Sequence, residues 1–245
     1  MIQKDEGVVL GGARSGETSK VITFFGRRLG KIKLLGKGAL GSRSGLRAAL
    51  QTGNLIEVVY YHKEGRTLYF LKEAHTVLAA TPGQDLVSTA AALAPLELIA
   101  QVCYWASPEE RVVDLFTEYR RCDPVRDPLL LFIGFEFRLL EILGLLPNFF
   151  ECSECGANLA SGFYHPAQGS STCTAHSHAE PHRVPLPGGV VSLLDTVANQ
   201  PLASLAGLEV DADTRKNLGK ILHWTYTFHV QGYGLPEALK LIPKG

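Results

Sequence analysis

The sequence predicts an α+β fold in several domains, and three observations predict it. Residues 1–80 read as short β-branched and aromatic runs separated by Gly-rich turns. From about Asp85 the pattern changes to an Ala/Leu-rich helical rhythm, which resumes in the last quarter of the chain. Between the helical stretches lies a loop-rich segment holding three of the five cysteines. The expected division is therefore 1–80, 81–150, 151–183 and 184–245, and 245 residues are enough for domains of that size.

Five runs carry the first domain: Val8–Leu10, Val21–Phe25, Lys31–Leu35, Leu55–Tyr61 and Thr67–Leu71. Breaks fall at Gly11-Gly12, Gly26 to Gly30, Gly36 to Gly45 and Lys63 to Gly65. Five strands in about 75 residues point to a small barrel, and the OB-fold is the common five-stranded barrel that binds single-stranded nucleic acid. Its charges fit that use. Arg27 and Arg28 sit in the turn after the second run, while Lys31 and Lys33 alternate with Ile32 and Leu34 and so share one strand face. From Gly36 to Arg47 runs a flexible loop in which Lys37, Arg43 and Arg47 alternate with small residues, a track that can follow phosphates closely. With Arg14 and Lys20, these nine cations are the candidate DNA-contact residues. The loop lacks the Lys-Ser/Thr ending of a phosphate-binding Walker loop, so nucleotide hydrolysis gains no support.

Past Thr81-Pro82-Gly83, a helical rhythm runs from Asp85 to about Ala106 with a restart at Pro95. Ser107-Pro108-Glu109-Glu110 predicts a capped helix reaching Arg121. Asp127-Pro128 opens another, which runs to Leu145 and is stopped by Pro147. Arg138 and Glu141, three apart, form a surface pair there. Gly188-Gly189 leads into a short helix, and Asp213-Thr214 caps a long one from Arg215 to Val230, on which Trp224 and Tyr226 pack as core. Gly232 to Gly234 ends it, leaving a short tail element. These helices are expected to form a bundle.

Residues 152–178 run Cys152-Ser-Glu-Cys155-Gly, then 17 residues to Cys173, then Thr-Ala-His176-Ser-His178. A CxxC pair followed by a further Cys and a nearby His has the spacing of a closed tetrahedral zinc knuckle. Cys152, Cys155, Cys173 and His176 are the expected ligands of one structural zinc ion, with His178, and more remotely His165 and His182, competing for the fourth place. Cys103 and Cys122 read as plain structural thiols. An odd cysteine count with three in metal spacing fits a reducing compartment.

The net charge is zero, but it is unevenly placed. Residues 1–80 carry 13 Lys and Arg against 6 Asp and Glu, a surplus of seven that the rest of the chain reverses with 11 against 18. A basic first domain on an acidic remainder suits a protein whose barrel meets a polyanion. No apolar run reaches the roughly 18 residues of a spanning helix. The stretch Met1–Glu6 carries acids and lacks the apolar core of a secretory signal, so a cytoplasmic location is expected, with no membrane partner.

A basic barrel, a helical middle, a cysteine knuckle and a returning C-terminal helix, in that order, resemble the bacterial RecO family of recombination mediators. The likeness is carried by Gly7-Val-Val-Leu10, Gly16-Glu17, Val21-Ile-Thr-Phe-Phe25, Gly30-Lys31-Ile32, Gly36-Lys37-Gly-Ala39 and Phe135-Glu-Phe-Arg-Leu-Leu-Glu-Ile-Leu-Gly144-Leu-Leu-Pro147, followed directly by Cys152-Ser-Glu-Cys155-Gly156. It covers most of the chain. The resemblance implies an accessory protein without an active site. Such a protein binds single- and double-stranded DNA, anneals complementary strands, contacts single-stranded-DNA-binding protein, and works with RecR to help load RecA. It also implies association with the nucleoid. The family knuckle has two CxxC pairs, so His176 in the last place implies a Cys3His variant.

Two other classes are weighed against this one. A zinc hydrolase or deaminase needs an open coordination position and a general base, and the HxE with a downstream PCxxC of the deaminases is missing. A non-enzymatic adaptor built from an OB barrel and a zinc ribbon is the alternative, binding RNA or protein.

Overall fold

A computed structural model describes residues 1–41, 44–122, 126–177 and 182–242. They fall into two compact units, one of Met1–Thr117 with the C-terminal segment from Pro236, the other of Glu118–Leu235.

Five strands build the first unit: β1 (Ile2–Ser15), β2 (Ser19–Gly26), β3 (Gly30–Gly36), β4 (Leu55–Tyr61) and β5 (Leu68–Leu78). They close into a barrel in the order β1-β2-β3-β5-β4, with β3 and β5 parallel and the other pairs antiparallel, which is the expected OB-fold. The two-residue period of a strand puts Ile22 and Phe24, Ile32 and Leu34, and Ile56, Val58 and Tyr60 on inward faces, where all are buried. Each such side chain contributes roughly 1.5–3 kcal/mol by leaving water.

Two strands are longer than the sequence predicts. β1 starts at Ile2 and runs through Gly11-Gly12, which was expected to be a break. Its first half pairs with β4 and its second with β2, and the register shifts between Val9 and Gly11. A bulge at a Gly pair is how one strand bends to serve two neighbours. β5 continues to Leu78 because Glu73, His75 and Thr76 are exposed while their backbone pairs with β4.

The expected flexible loop after Gly36 contains a short helix, α1 (Leu46–Ala49). Buried Asn54 anchors it: Nδ2 donates to the Ala48 and Ala49 carbonyls, and Oδ1 accepts from the Ala80 amide at 2.7 Å. Next comes α2 (Leu86–Val102), opened by a reciprocal cap between Asp85 and Ser88. It runs straight through Pro95 instead of restarting there. Burial of Ala90, Ala94, Leu96, Leu98 and Ile99 around the proline outweighs the one backbone bond that it removes. The tail forms α8 (Glu237–Lys240), packed on α2, and the Glu97 carboxylate accepts from the Glu237 and Ala238 amides at its start. Between α2 and the second unit comes α3 (Glu110–Arg121), two residues later than the predicted start at Pro108.

In the second unit α4 (Pro128–Ile142), α5 (Gly188–Asn199), α6 (Leu202–Leu205) and α7 (Ala212–His229) pack together. The α4 helix stops before Leu145, and Gly144 rather than Pro147 stops it. Gly144 adopts φ 70°, its amide donates to the Glu141 carbonyl and the Leu145 amide donates to that of Leu140, the paired bonds of a glycine C-cap. Asp211, not Asp213, caps α7 by accepting from the Thr214 amide. Arg138 does pair with Glu141, at 3.4 Å, and also donates to the Gln200 carbonyl. The loop-rich cysteine segment also carries a three-stranded sheet, β6 (Gly162–His165), β7 (Ser170–Thr172) and β8 (Val184–Leu186), in the order β7-β6-β8. Buried Tyr164 ties it to α7 through a 2.8 Å hydrogen bond with Thr225. Among the described residues no helix is long and apolar enough to cross a membrane.

Candidate functional site

The Cys152 turn is shaped by backbone hydrogen bonds. The Gly156 amide donates to the Cys152 carbonyl at 2.8 Å, and Gly156, at φ 69°, takes the left-handed conformation that turns the chain back on itself. The Ser153 amide donates to the Ser171 carbonyl, which fixes this turn against β7. Cys173 then leaves β7 and opens a single 3-10 turn, Thr174–His176, which swings the imidazole back toward the thiols. Cys152, Cys155, Cys173 and His176 thereby bring their ligating atoms within 4.8 Å of one another. His176 Nδ1 lies 3.1 Å from Cys173 Sγ and 3.8 Å from Cys152 Sγ. A tetrahedral zinc ion with Zn–S of about 2.3 Å spaces its ligand atoms by roughly 3.5–3.8 Å, so the cage is of the right size.

Electrostatics favour deprotonation of two of the three sulfurs, Cys152 and Cys173. Cys155 is raised, because the hydrogen bond from the Ala157 amide is outweighed by the hydrogen bond with Cys152 and by desolvation. The Cys173 amide donates to Cys152 Sγ at 3.4 Å, and with the Cys155 and Glu154 amides it pulls the Cys152 thiol down to about 6. Desolvation raises Cys173, but hydrogen bonding from the His176 side chain and amide outweighs it and the net shift is downward. His176 is raised, first by Cys173 and then by Cys152. Three sulfurs and one imidazole form a group that can hold a metal ion. The competing histidines lie elsewhere: His165 is buried with Nε2 2.9 Å from Thr172 Oγ1, and His182 packs on Trp224 at 4.4 Å between ring centroids. His178 lies outside the described residues.

The candidate DNA-contact cations have different surroundings. Lys33, Lys37, Arg28 and Arg47 are exposed on the barrel or its loops, Lys37 with its ammonium 4.8 Å from the Phe70 ring. Arg14 folds back on the β1–β2 turn, donating to the Gly16 and Glu17 carbonyls. Lys20 donates to the Leu50 carbonyl at 2.7 Å, and burial lowers its pKa. Arg27 is paired with Glu6 at 3.1 Å and Asp114 at 2.7 Å. Lys31 does share a strand face with Lys33, but it is buried and its ammonium donates to the Ala100 carbonyl. Arg43 lies outside the described residues.

Comparison with known proteins bears on both units. The family description "Recombination protein O N terminal" matches residues 1–79, and "Recombination protein O C terminal" matches residues 83–237. The chain belongs to the RecO family. It is 29% identical over 224 residues to the DNA repair protein RecO of Exiguobacterium sibiricum, covering 91% of this chain and 89% of that protein. It is 26% identical over 229 residues to DNA repair protein RecO of Bacillus cytotoxicus, and 25% identical over the same length to that of Bacillus mycoides, covering 92% of this chain and 91% of each relative.

Within this RecO-family chain, sequence reasoning passed over Trp105 and Arg66, which stand beside Lys33 on the barrel. A Tyr104-Trp105 pair just past a helix end was the available signal. Both rings are exposed, which is unusual for neighbouring large aromatics.

Proposed function

We propose that this chain is a recombination mediator in DNA repair. It binds single- and double-stranded DNA through its barrel and anneals complementary single strands. With RecR it helps load RecA onto DNA coated by single-stranded-DNA-binding protein. The observation that carries this reading is the match of both halves of the chain to one family of DNA repair proteins, in the right order and over nearly the whole length.

The barrel supports it physically. Arg28, Lys33, Lys37 and Arg47 are exposed cations on a unit with a surplus of positive charge, and exposed cations can neutralise phosphates and release their counterions. Such contacts hold a strand without reading its sequence, as annealing of any complementary pair requires. Cys152, Cys155, Cys173 and His176 would hold one structural zinc ion. Four protein ligands would leave no open position for water, so the residues would brace the β6–β8 segment without supplying catalysis, and the protein acts as a mediator rather than an enzyme. Its place is the cytoplasm, on nucleoid DNA.

The deciding experiment is annealing of complementary strands precoated with single-stranded-DNA-binding protein. The chain should accelerate duplex formation without nucleotide. An adaptor with an OB barrel and a zinc ribbon would leave the annealing rate at its uncatalysed value, and that result would remove the mediator reading.

A further inference from the structure

Beside β3 the barrel carries a cavity of about 320 Å³, lined by Lys31, Lys33, Arg66, Thr67, Tyr69 and Trp105 among others, with no acidic residue in its wall. Its size falls at the lower end of small-ligand pockets, which begin at roughly 300 Å³. Trp105 is held at its mouth by backbone pairing: Trp105 bridges to Lys31, and the Ala106 amide donates to the Lys31 carbonyl at 3.0 Å. The indole is nevertheless half exposed, at 52%. The Lys31 and Lys33 ammoniums lie 4.9 and 5.5 Å from its ring centroid. Tyr69, buried and stacked on His62 at 5.0 Å, supplies a second aromatic wall. Lys33 and Arg66 are exposed, and no ion pair of either is found among the described residues.

A half-exposed indole fixed by backbone pairing, in a cavity that the exposed cations Lys33 and Arg66 also line, is the combination that binds one base of a single strand: a flat apolar face for the heterocycle, and positive charge for its flanking phosphates. We propose that this cavity takes one unpaired nucleobase of single-stranded DNA, stacked against Trp105, with the flanking phosphates at Lys33 and Arg66. The inference rests on the DNA-binding reading of the barrel and sharpens it. Lys31, buried and held by the Ala100 carbonyl, lines the cavity and makes no phosphate contact of its own.

The chain has two tryptophans, so Trp224→Phe leaves Trp105 as the sole indole and makes it a direct reporter. Titration of the full-length Trp224→Phe protein with an oligothymidylate should quench the emission saturably. Trp105→Ala should weaken binding by about 5- to 150-fold, the usual range for one base–aromatic stack, with the salt dependence unchanged, while Trp105→Phe keeps most of the affinity. Lys33→Ala and Arg66→Ala should each flatten the plot of log affinity against log salt by about 0.7. If the oligonucleotide binds yet the indole emission does not change, and Trp105→Ala binds as tightly as its parent, the cavity is not the base site although the barrel still binds DNA. If the unaltered protein binds no single-stranded DNA, both readings fall. The quench is read with Trp105 in place, so it decides the matter even if Trp105→Ala fails to fold.

Discussion

His176 and Cys152 show how much chemistry a few local bonds can set. Three sulfurs packed around one imidazole would repel as thiolates, and a divalent cation removes that cost by binding all four groups. Metal analysis of the purified protein should therefore find about one zinc per chain. Cys152→Ser and His176→Ala should each release it and lower the melting temperature, with proteolytic cleavage appearing first in residues 152–177. A folded protein purified without metal would sink the idea. Glu136 presents a different residue-scale case. It is buried in α4, and burial pushes its carboxyl up to about 8 from an ordinary 4.5. A folded-state pKa above the unfolded one means that the native state holds the proton more tightly. Its contribution is complete below about pH 4.5 and is lost as pH rises through 8. At about 1.4 kcal/mol per tenfold change in proton affinity, the loss is of order 4 kcal/mol between pH 5 and 9. Glu136→Gln stays neutral and should be the more stable protein at pH 9. Urea denaturation across that range checks this, and parallel curves for the two proteins would refute it.

At the scale of one element, α4 depends on the residue that caps its start. Asp127 Oδ1 accepts from the Leu129 and Leu130 amides, and its other oxygen pairs with Arg215 at the start of α7. Asp127→Ala should cost about 1–2 kcal/mol from the lost cap, whereas Asp127→Asn keeps the cap and loses only the ion pair, less than about 1 kcal/mol. Equal losses in the two variants, measured by denaturation, would show that the pair rather than the cap matters. This helix was legible in the sequence because Asp127-Pro128 is a local signal and the run from Leu130 to Leu140 is apolar except at Glu136 and Arg138. Where neighbours decide, the sequence was silent. The Gln3 to Glu6 half of β1 is polar and becomes strand only because β4 supplies its partners. Pro95 looks like a boundary, and its own burial with Ala94, Leu96, Leu98 and Ile99 overrides it. β6 to β8 are three or four residues each, too short for any period to show. The metal group was readable for the opposite reason, since its four ligands sit on two short turns whose spacing is written in the chain. The surroundings of Lys31 were not readable, because Ala100 and Trp105 reach it from far along the sequence.

For the whole molecule, a net charge of zero hides a barrel-bearing segment with seven surplus positive charges and a remainder that cancels them. Net charge therefore says little about affinity for DNA, and placement says more. Each cation that meets a phosphate releases counterions, so log affinity falls with log salt by about 0.7 per contact on a single strand and about 0.9 on a duplex. Lys33, Lys37 and Arg47 are exposed, whereas Arg27 is already neutralised by Glu6 and Asp114. Replacing the first three together with Ala should weaken single-stranded DNA binding at every sequence alike and reduce the salt slope by about 2. Arg27→Ala should leave the slope near its original value and show instead in stability, because it strands two carboxylates. Fluorescence anisotropy at four salt concentrations gives both slopes. An unchanged slope in the triple variant would move the phosphate contacts off this face of the barrel, and a large change with Arg27→Ala would mean that the Glu6 and Asp114 pairs open when DNA arrives.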